Sequence, residues 1–106
     1  EEHLTAMHEI HEYLIQNLDK RITIEDLAKK FLMNTTTLKE LFKTVYGTSL
    51  AAHMKEHRLK KAAELLRNTE ESIAEIARSV GYESASKFSA AFKDEYGKTP
   101  KDYRKE

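Results

Sequence analysis

Two histidine pairs are the first side chains whose spacing could hold an ion. His8 and His11 lie three residues apart and His53 and His57 four apart, and on a helix either step brings both imidazoles to one face, as two ligands of one metal require. A metal enzyme needs more than that. The chain contains no Cys, which excludes thiolate zinc sites, Cys nucleophiles and disulfides and fits a reducing cytoplasm. No Glu-bracketed zincin motif, nucleophile elbow or Gly-rich phosphate loop occurs. Catalysis therefore has no constellation to stand on, and neither an enzyme activity, nor a cofactor, nor a bound metal is expected. His8 and His11 are expected on a solvated face.

Charge is the other chemistry on offer. The 18 basic and 18 acidic residues cancel, so the total announces no polyanionic partner. Their distribution says more. Residues 1–19 carry Glu1, Glu2, Glu9, Glu12 and Asp19 without a Lys or Arg, which is −5 and leaves +5 for the rest. Farther on, Lys55, Arg58, Lys60, Lys61 and Arg67 outnumber Glu56 and Glu64 along one stretch. An ordinary solvated face and an anion-binding surface both fit that pattern.

The elements that must carry these side chains are helices. At 106 residues the chain is long enough to bury a core without covalent staples. Its apolar runs are short and its start, Glu1-Glu2-His3, has neither a basic nor an apolar leader region, so no membrane span or signal peptide is expected. Leu4, Met7, Ile10, Leu14 and Leu18 recur at three- and four-residue steps, predicting an amphipathic first helix that ends before Asp19-Lys20-Arg21. Thr23 caps a short helix with Ile24, Leu27, Ala28 and Phe31 inward and Glu25 and Asp26 in its first turn. After a break at Leu32-Met33-Asn34, Asn34 or Thr35 caps a helix that buries Leu38, Leu41, Phe42 and Val45 and stops at Tyr46-Gly47.

Ser49 restarts the chain. Leu59, Ala62, Ala63 and Leu66 mark a longer helix from about Leu50 to Leu66, roughly 25 Å long. Ser72 caps a short helix, with Glu75 completing a capping box and Ile73, Ile76, Ala77 and Val80 inward. Gly81 turns the chain, Ser84 caps a helix bearing Phe88, Ala91 and Phe92, and Pro100 suits the first turn of a last helix.

These elements repeat. Ile24-x-x-Leu27-Ala28-x-x-Phe31 matches Ile73-x-x-Ile76-Ala77-x-x-Val80, and Phe42-Lys43-x-x-Tyr46-Gly47-x-Ser49 matches Phe92-Lys93-x-x-Tyr96-Gly97-x-Thr99, with one residue added at the second turn. Each unit reads as a short helix, a tight turn and a second helix with a polar outer face, the grammar of a helix-turn-helix. Ala28 and Ala77 are small where two steeply crossing helices approach. Gly81 permits a left-handed turn residue, but Leu32 holds its place in the first unit, so that turn is expected to manage without positive φ. His53 aligns with Tyr103 and is expected to pack within its unit. A helical bundle would also satisfy one such unit. Two units spaced by a rod favour DNA, whose major groove returns to one face every ≈ 34 Å, the scale of a roughly 25 Å rod plus helix diameters.

From about Thr23 to Arg104 the residues resemble the AraC/XylS family of bacterial transcription regulators. The most specific stretch is Ser72-Ile73-Ala74-Glu75-Ile76-Ala77-Arg78-Ser79-Val80-Gly81-Tyr82-Glu83-Ser84-Ala85-Ser86-Lys87-Phe88-Ser89-Ala90-Ala91-Phe92-Lys93, followed by Tyr96-Gly97-Lys98-Thr99-Pro100 and Tyr103. The resemblance implies an all-α fold of about seven helices, two helix-turn-helix subdomains with homeodomain-like three-helix units joined by a long linker helix. Their expected bounds are about 1–48 and 68–106, with the linker at 49–67. It further implies sequence-specific binding of double-stranded promoter or operator DNA through recognition helices in successive major grooves. RNA polymerase is a further partner to consider, and a separate effector or dimerisation domain is implied that these residues do not include. The location implied is the cytoplasm.

Carried over by position, the first recognition helix offers DNA Thr35, Thr36, Thr37, Lys39, Glu40 and Lys43. The second offers Ser84, Ala85, Ser86, Lys87, Ser89, Ala90 and Lys93. Hydroxyls and Lys suit phosphate oxygens or base edges, and Glu40 can accept from cytosine N4. Thr35 and Ser84 are expected as helix caps ahead of base contacts, and Lys43 and Lys93 suit phosphates and solvent equally. Backbone N–H groups at Thr23 and Ser72 could meet phosphates. Glu40 and Ala90 stand where basic side chains are frequent in the family, which points to modest affinity. With few bidentate Arg or Asn candidates on either recognition face, specificity is expected to rely on methyl contacts, water and DNA shape. The alternative reading is a helical protein-interaction module that binds no DNA, with the acidic first helix as its docking surface.

Overall fold

The computed structural model describes residues 2–106, apart from the side chain of Glu2. Glu1, counted in the acidic opening run, lies outside the described residues. The described residues form seven helices and no strand: α1 Glu2–Ile15, α2 Ile24–Lys30, α3 Thr35–Tyr46, α4 Leu50–Asn68, α5 Ile73–Ser79, α6 Ala85–Tyr96 and α7 Pro100–Lys105. They pack as two units, the first ending at Lys55 and the second running Glu56–Glu106. The division falls inside α4.

In the first unit α1, α2, α3 and the start of α4 close around Met7, Ile10, Leu14, Leu27, Ala28, Leu38, Phe42 and Met54. Each fully buried Leu, Ile, Met or Phe here contributes about 1.5–3 kcal/mol relative to exposure. The first helix is shorter than its periodicity predicts. It ends at Ile15 because residues 16–19 form turns, where the Asn17 side-chain amide donates to the Tyr13 carbonyl at 2.7 Å and satisfies a last-turn acceptor. Leu18 still packs on the core from this turn. Leu4, expected in the buried stripe, is 44% exposed, since the core lies beside the later turns of α1.

The second unit repeats the plan with the later turns of α4 in the place of α1. Leu59, Ala62, Ala63 and Leu66 meet Ile76, Ala77, Val80, Phe88 and Phe92. Pro100 opens α7 behind the Thr99 cap, as its fixed φ and missing N–H suit. Arg104 then reaches back to α4, its Nε donating to the Leu66 carbonyl at 3.0 Å and an Nη to the Thr69 carbonyl at 3.3 Å. That engages acceptors a helix C-terminus otherwise leaves open.

Both inter-helix turns are Schellman motifs. Met33 N–H donates to the Ala28 carbonyl at 2.9 Å and Leu32 N–H to Lys29 at 3.4 Å; in the second unit Tyr82 donates to Ala77 at 2.9 Å and Gly81 to Arg78 at 3.1 Å. The motif demands a left-handed residue before the closing donor. Gly81 supplies it at φ 92° and Leu32 at φ 54°. The expectation that the first turn avoids positive φ is therefore wrong: the hydrogen-bond pattern requires it whatever the residue, and Leu32 carries the steric cost, about 1–2 kcal/mol.

Candidate nucleic-acid interface

Each recognition helix owes its outer face to the way its inner face is held. Asn34 caps α3, its side-chain oxygen accepting from Thr37 N–H at 2.8 Å. Thr35 is thus the first helical residue and not the cap. Leu38 and Phe42 are fully buried, with Leu41 and Val45 packed beside them. The helical period then turns Thr36, Glu40 and Lys43 away from the core, with Lys39 at their flank, and all four are exposed. Thr35 and Thr37 lie at the edges of this stripe, half-buried. The helix α1, which carries Glu9 and Glu12, packs on the opposite, buried side of α3.

The same construction holds in the second unit. Ser84 caps α6, accepting from Lys87 N–H at 3.1 Å. Phe88 and Phe92 face inward, leaving Ser86, Ala90 and Lys93 exposed on the outer stripe and Lys87 exposed at its flank. Ala85 and Ser89 are half-buried. Both helices close on a left-handed glycine, Gly47 at φ 76° and Gly97 at φ 75°. The two stripes differ in one respect: the first carries a carboxylate, Glu40, where the second has the methyl of Ala90.

Thr23 and Ser72 are engaged in capping boxes. Thr23 Oγ1 accepts from Asp26 N–H at 3.0 Å while Thr23 N–H donates to the Asp26 carboxylate at 3.3 Å. Ser72 and Glu75 exchange the same pair, both at 3.1 Å. The first of these boxes escaped the sequence reading, which saw Asp26 only as a first-turn acid; the Thr-x-x-Asp spacing was the available signal. The hydrogen bonds from Ser72 hold the Glu75 carboxyl below the usual carboxylate range.

The histidines divide. His8 is exposed, whereas His11 is half-buried and its ring stacks on Tyr46 at 4.7 Å and 17°. Its Nε2 lies 2.8 Å from that of His53. The expected solvated face thus holds for His8 and fails for His11, because α1 presents His11 toward the start of α4. His53 packs in its unit as its alignment with Tyr103 implies, edge-on to Phe42 at 5.3 Å. An open groove of about 750 Å³ lined by His8, Glu9, Glu12, Tyr13, Lys30 and Phe31 among others marks the surface of α1 and α2. No described helix is long and apolar enough to cross a membrane.

Comparison with known proteins completes the assignment. A helix-turn-helix domain family matches residues 27–106. The chain is 37% identical over 93 residues to the regulatory protein SoxS of Salmonella typhimurium, covering 88% of this chain and 87% of that one. It is 35% identical over 88 residues to the transcriptional regulator AlkR of Acinetobacter baylyi, covering 83% of this chain and only 29% of AlkR. In structure it resembles the C-terminal domain of the response regulator yesN from Fusobacterium nucleatum, with a TM-score of 0.89 and 31% identity over 94% of this chain and 98% of that one. These are regulators and not enzymes. By its matched residues, its relatives and its paired helix-turn-helix units, the chain belongs to the AraC/XylS family of DNA-binding transcription regulators.

Proposed function

We propose that this chain reads double-stranded promoter or operator DNA with α3 and α6 each laid in a major groove, on successive turns of the duplex. The observation that carries this reading is the doubled outer stripe: each helix follows a tight turn, is buried on one side and presents hydroxyls and Lys on the other, with Glu40 in α3 where α6 has Ala90. Lys39, Lys43, Lys87 and Lys93 meet phosphates and set orientation. Thr36, Glu40, Ser86 and Ala90 stand farthest from the cores and face base edges, Glu40 accepting from cytosine N4 and Ala90 meeting a thymine methyl. Thr35, Thr37, Ala85 and Ser89 contact DNA only at the groove walls, and Ser84 contributes its cap.

Thr23 and Ser72 are the weakest members of the set. Their helices already hold Asp26 or Glu75 at the positive end, which offsets attraction for a phosphate. RNA polymerase contact, a cytoplasmic location and an effector or dimerisation domain elsewhere in the polypeptide belong to the same proposal; that AlkR is more than three times the matched length leaves room for such a domain.

Two measurements test it. Selection of bound duplexes from a random pool should enrich one motif, and anisotropy across a salt series should show log K falling linearly with log[salt]. Lys43→Ala or Lys93→Ala should each reduce that slope by about 1. Binding that enriches no sequence, or no binding even at low salt, would sink the reading and leave the interaction module.

A further inference from the structure

We propose that His11, His53 and His57 form a binding site for a divalent transition-metal ion of the Zn²⁺ class, one that pins α1 to α4. His11 and His53 are 42 positions apart in sequence, yet their Nε2 atoms lie 2.8 Å apart. At that separation the two nitrogens share one proton, so one ring points a lone pair at the other. Zinc–imidazole bonds of ≈ 2.0–2.1 Å in tetrahedral geometry place two ligand nitrogens about 3.3 Å apart. Opening the pair by about half an ångström therefore admits the ion. His57 follows one turn along the same unbroken helix as His53, with a ring nitrogen of each within 4.8 Å. Three imidazoles suit Zn²⁺, Cu²⁺ or Ni²⁺ and not Mg²⁺ or Ca²⁺.

The surroundings already restrain the rings. All three histidines are half-buried. The stacked ring of Tyr46 and the edge contact with Phe42 restrain His11 and His53 in orientation, the service that groups around a metal's ligands ordinarily supply. Packing alone does not explain the choice of residues. Tyr103 occupies the equivalent ring position in the second unit, 5.2 Å from Phe92 and 5.6 Å from Tyr96, against 5.3 Å from His53 to each of Phe42 and Tyr46. A tyrosine fills that space, so histidine adds a ligand without adding a packing function. No redox step is involved: the ring that donates in the His11–His53 contact moves its proton to Nδ1, or releases it to solvent if doubly protonated, and each nitrogen gives its lone pair to the ion.

The test uses the whole chain, freed of metal by dialysis against a chelator and titrated calorimetrically with Zn²⁺ at neutral pH. One equivalent should bind and raise the melting temperature. His53→Tyr, which copies the second unit and keeps the packing, and His11→Gln should each weaken binding at least tenfold and abolish the thermal shift, while His8→Gln changes neither. In the unsubstituted protein, Zn²⁺ should move the ring-nitrogen NMR signals of His11, His53 and His57 together. No stoichiometric binding, binding indifferent to both variants, or shifts confined to His3 and His8 would overturn the proposal.

Discussion

The two helix-turn-helix units solve one packing problem with different residues at three places. The turn before α6 is one residue longer than the turn before α3 and uses Gly81 where the first uses Leu32. The aromatic cluster behind the recognition helix ends in Tyr103 in one unit and in the His11–His53 contact in the other. Arg104 engages the C-terminal carbonyls of α4 in the second unit, while the Tyr46 hydroxyl donates to the Met7 carbonyl at 3.4 Å in the first. What stays constant is the inner face: a small residue at the crossing, Ala28 or Ala77, and a pair of large ones on the recognition helix, Leu38 and Phe42 or Phe88 and Phe92. The buried layer defines the unit. The turn and the flanking rings can vary because they need only satisfy hydrogen bonds or fill space.

The comparison breaks most visibly at the shared layer. Phe42→Ala and Phe92→Ala remove the same fully buried ring from the two units, and each should cost about 3–5 kcal/mol, read from equilibrium urea denaturation. Costs that differ by more than a factor of two would show that the two cores are less alike than their residues imply.

The turns sharpen it at a smaller scale. Gly81→Leu should cost about 1–2 kcal/mol, because the Schellman closure holds φ positive there. Leu32→Gly should gain about 1 kcal/mol or less, since relief of the left-handed strain is partly cancelled by the greater freedom of glycine in the unfolded chain. Leu32 is 92% exposed, so no lost packing obscures the result. The same denaturation curves check both, and a destabilised Leu32→Gly would mean that its side chain serves the fold in a way its exposure hides.

The smallest effect is electrostatic. The Glu75 carboxyl titrates below its ordinary value in the folded chain, chiefly because it accepts from Ser72. A depressed acid stabilises the fold above its unfolded value, and that contribution disappears as pH falls through the folded value. Glu75→Gln should therefore flatten a small part of the acid limb of melting temperature against pH while leaving the Ser72 Oγ cap intact. Ser72→Ala should lower stability by about 1 kcal/mol at neutral pH.

Much of this was legible beforehand. The apolar steps of α3, α5 and α6, the Ser72–Glu75 box and the doubled pattern around Ala28 and Ala77 are local signals, read over a few residues. The residues offered to DNA came from the family resemblance; local spacing adds only that, once Phe42 and Phe92 are inside, the period of the helix puts Lys43 and Lys93 outside. The misreadings share a cause. Whether Thr35 or Asn34 caps α3 depends on backbone angles that both residues tolerate, and the burial of Leu4 depends on where the core ends along α1.

Residue order by itself determined which segments are helical, which face of each is apolar, where Ser72, Ser84 and the glycines punctuate them, and that the plan occurs twice, because all of these follow from side-chain type at fixed short spacings. Tertiary structure decided the rest. Leu32 was forced to positive φ because the crossing of α2 and α3 closes a hydrogen-bond pattern that outweighs one residue's preference. His11 was brought to His53 because two helices distant in sequence share one core, and no local spacing encodes which side chains meet across it.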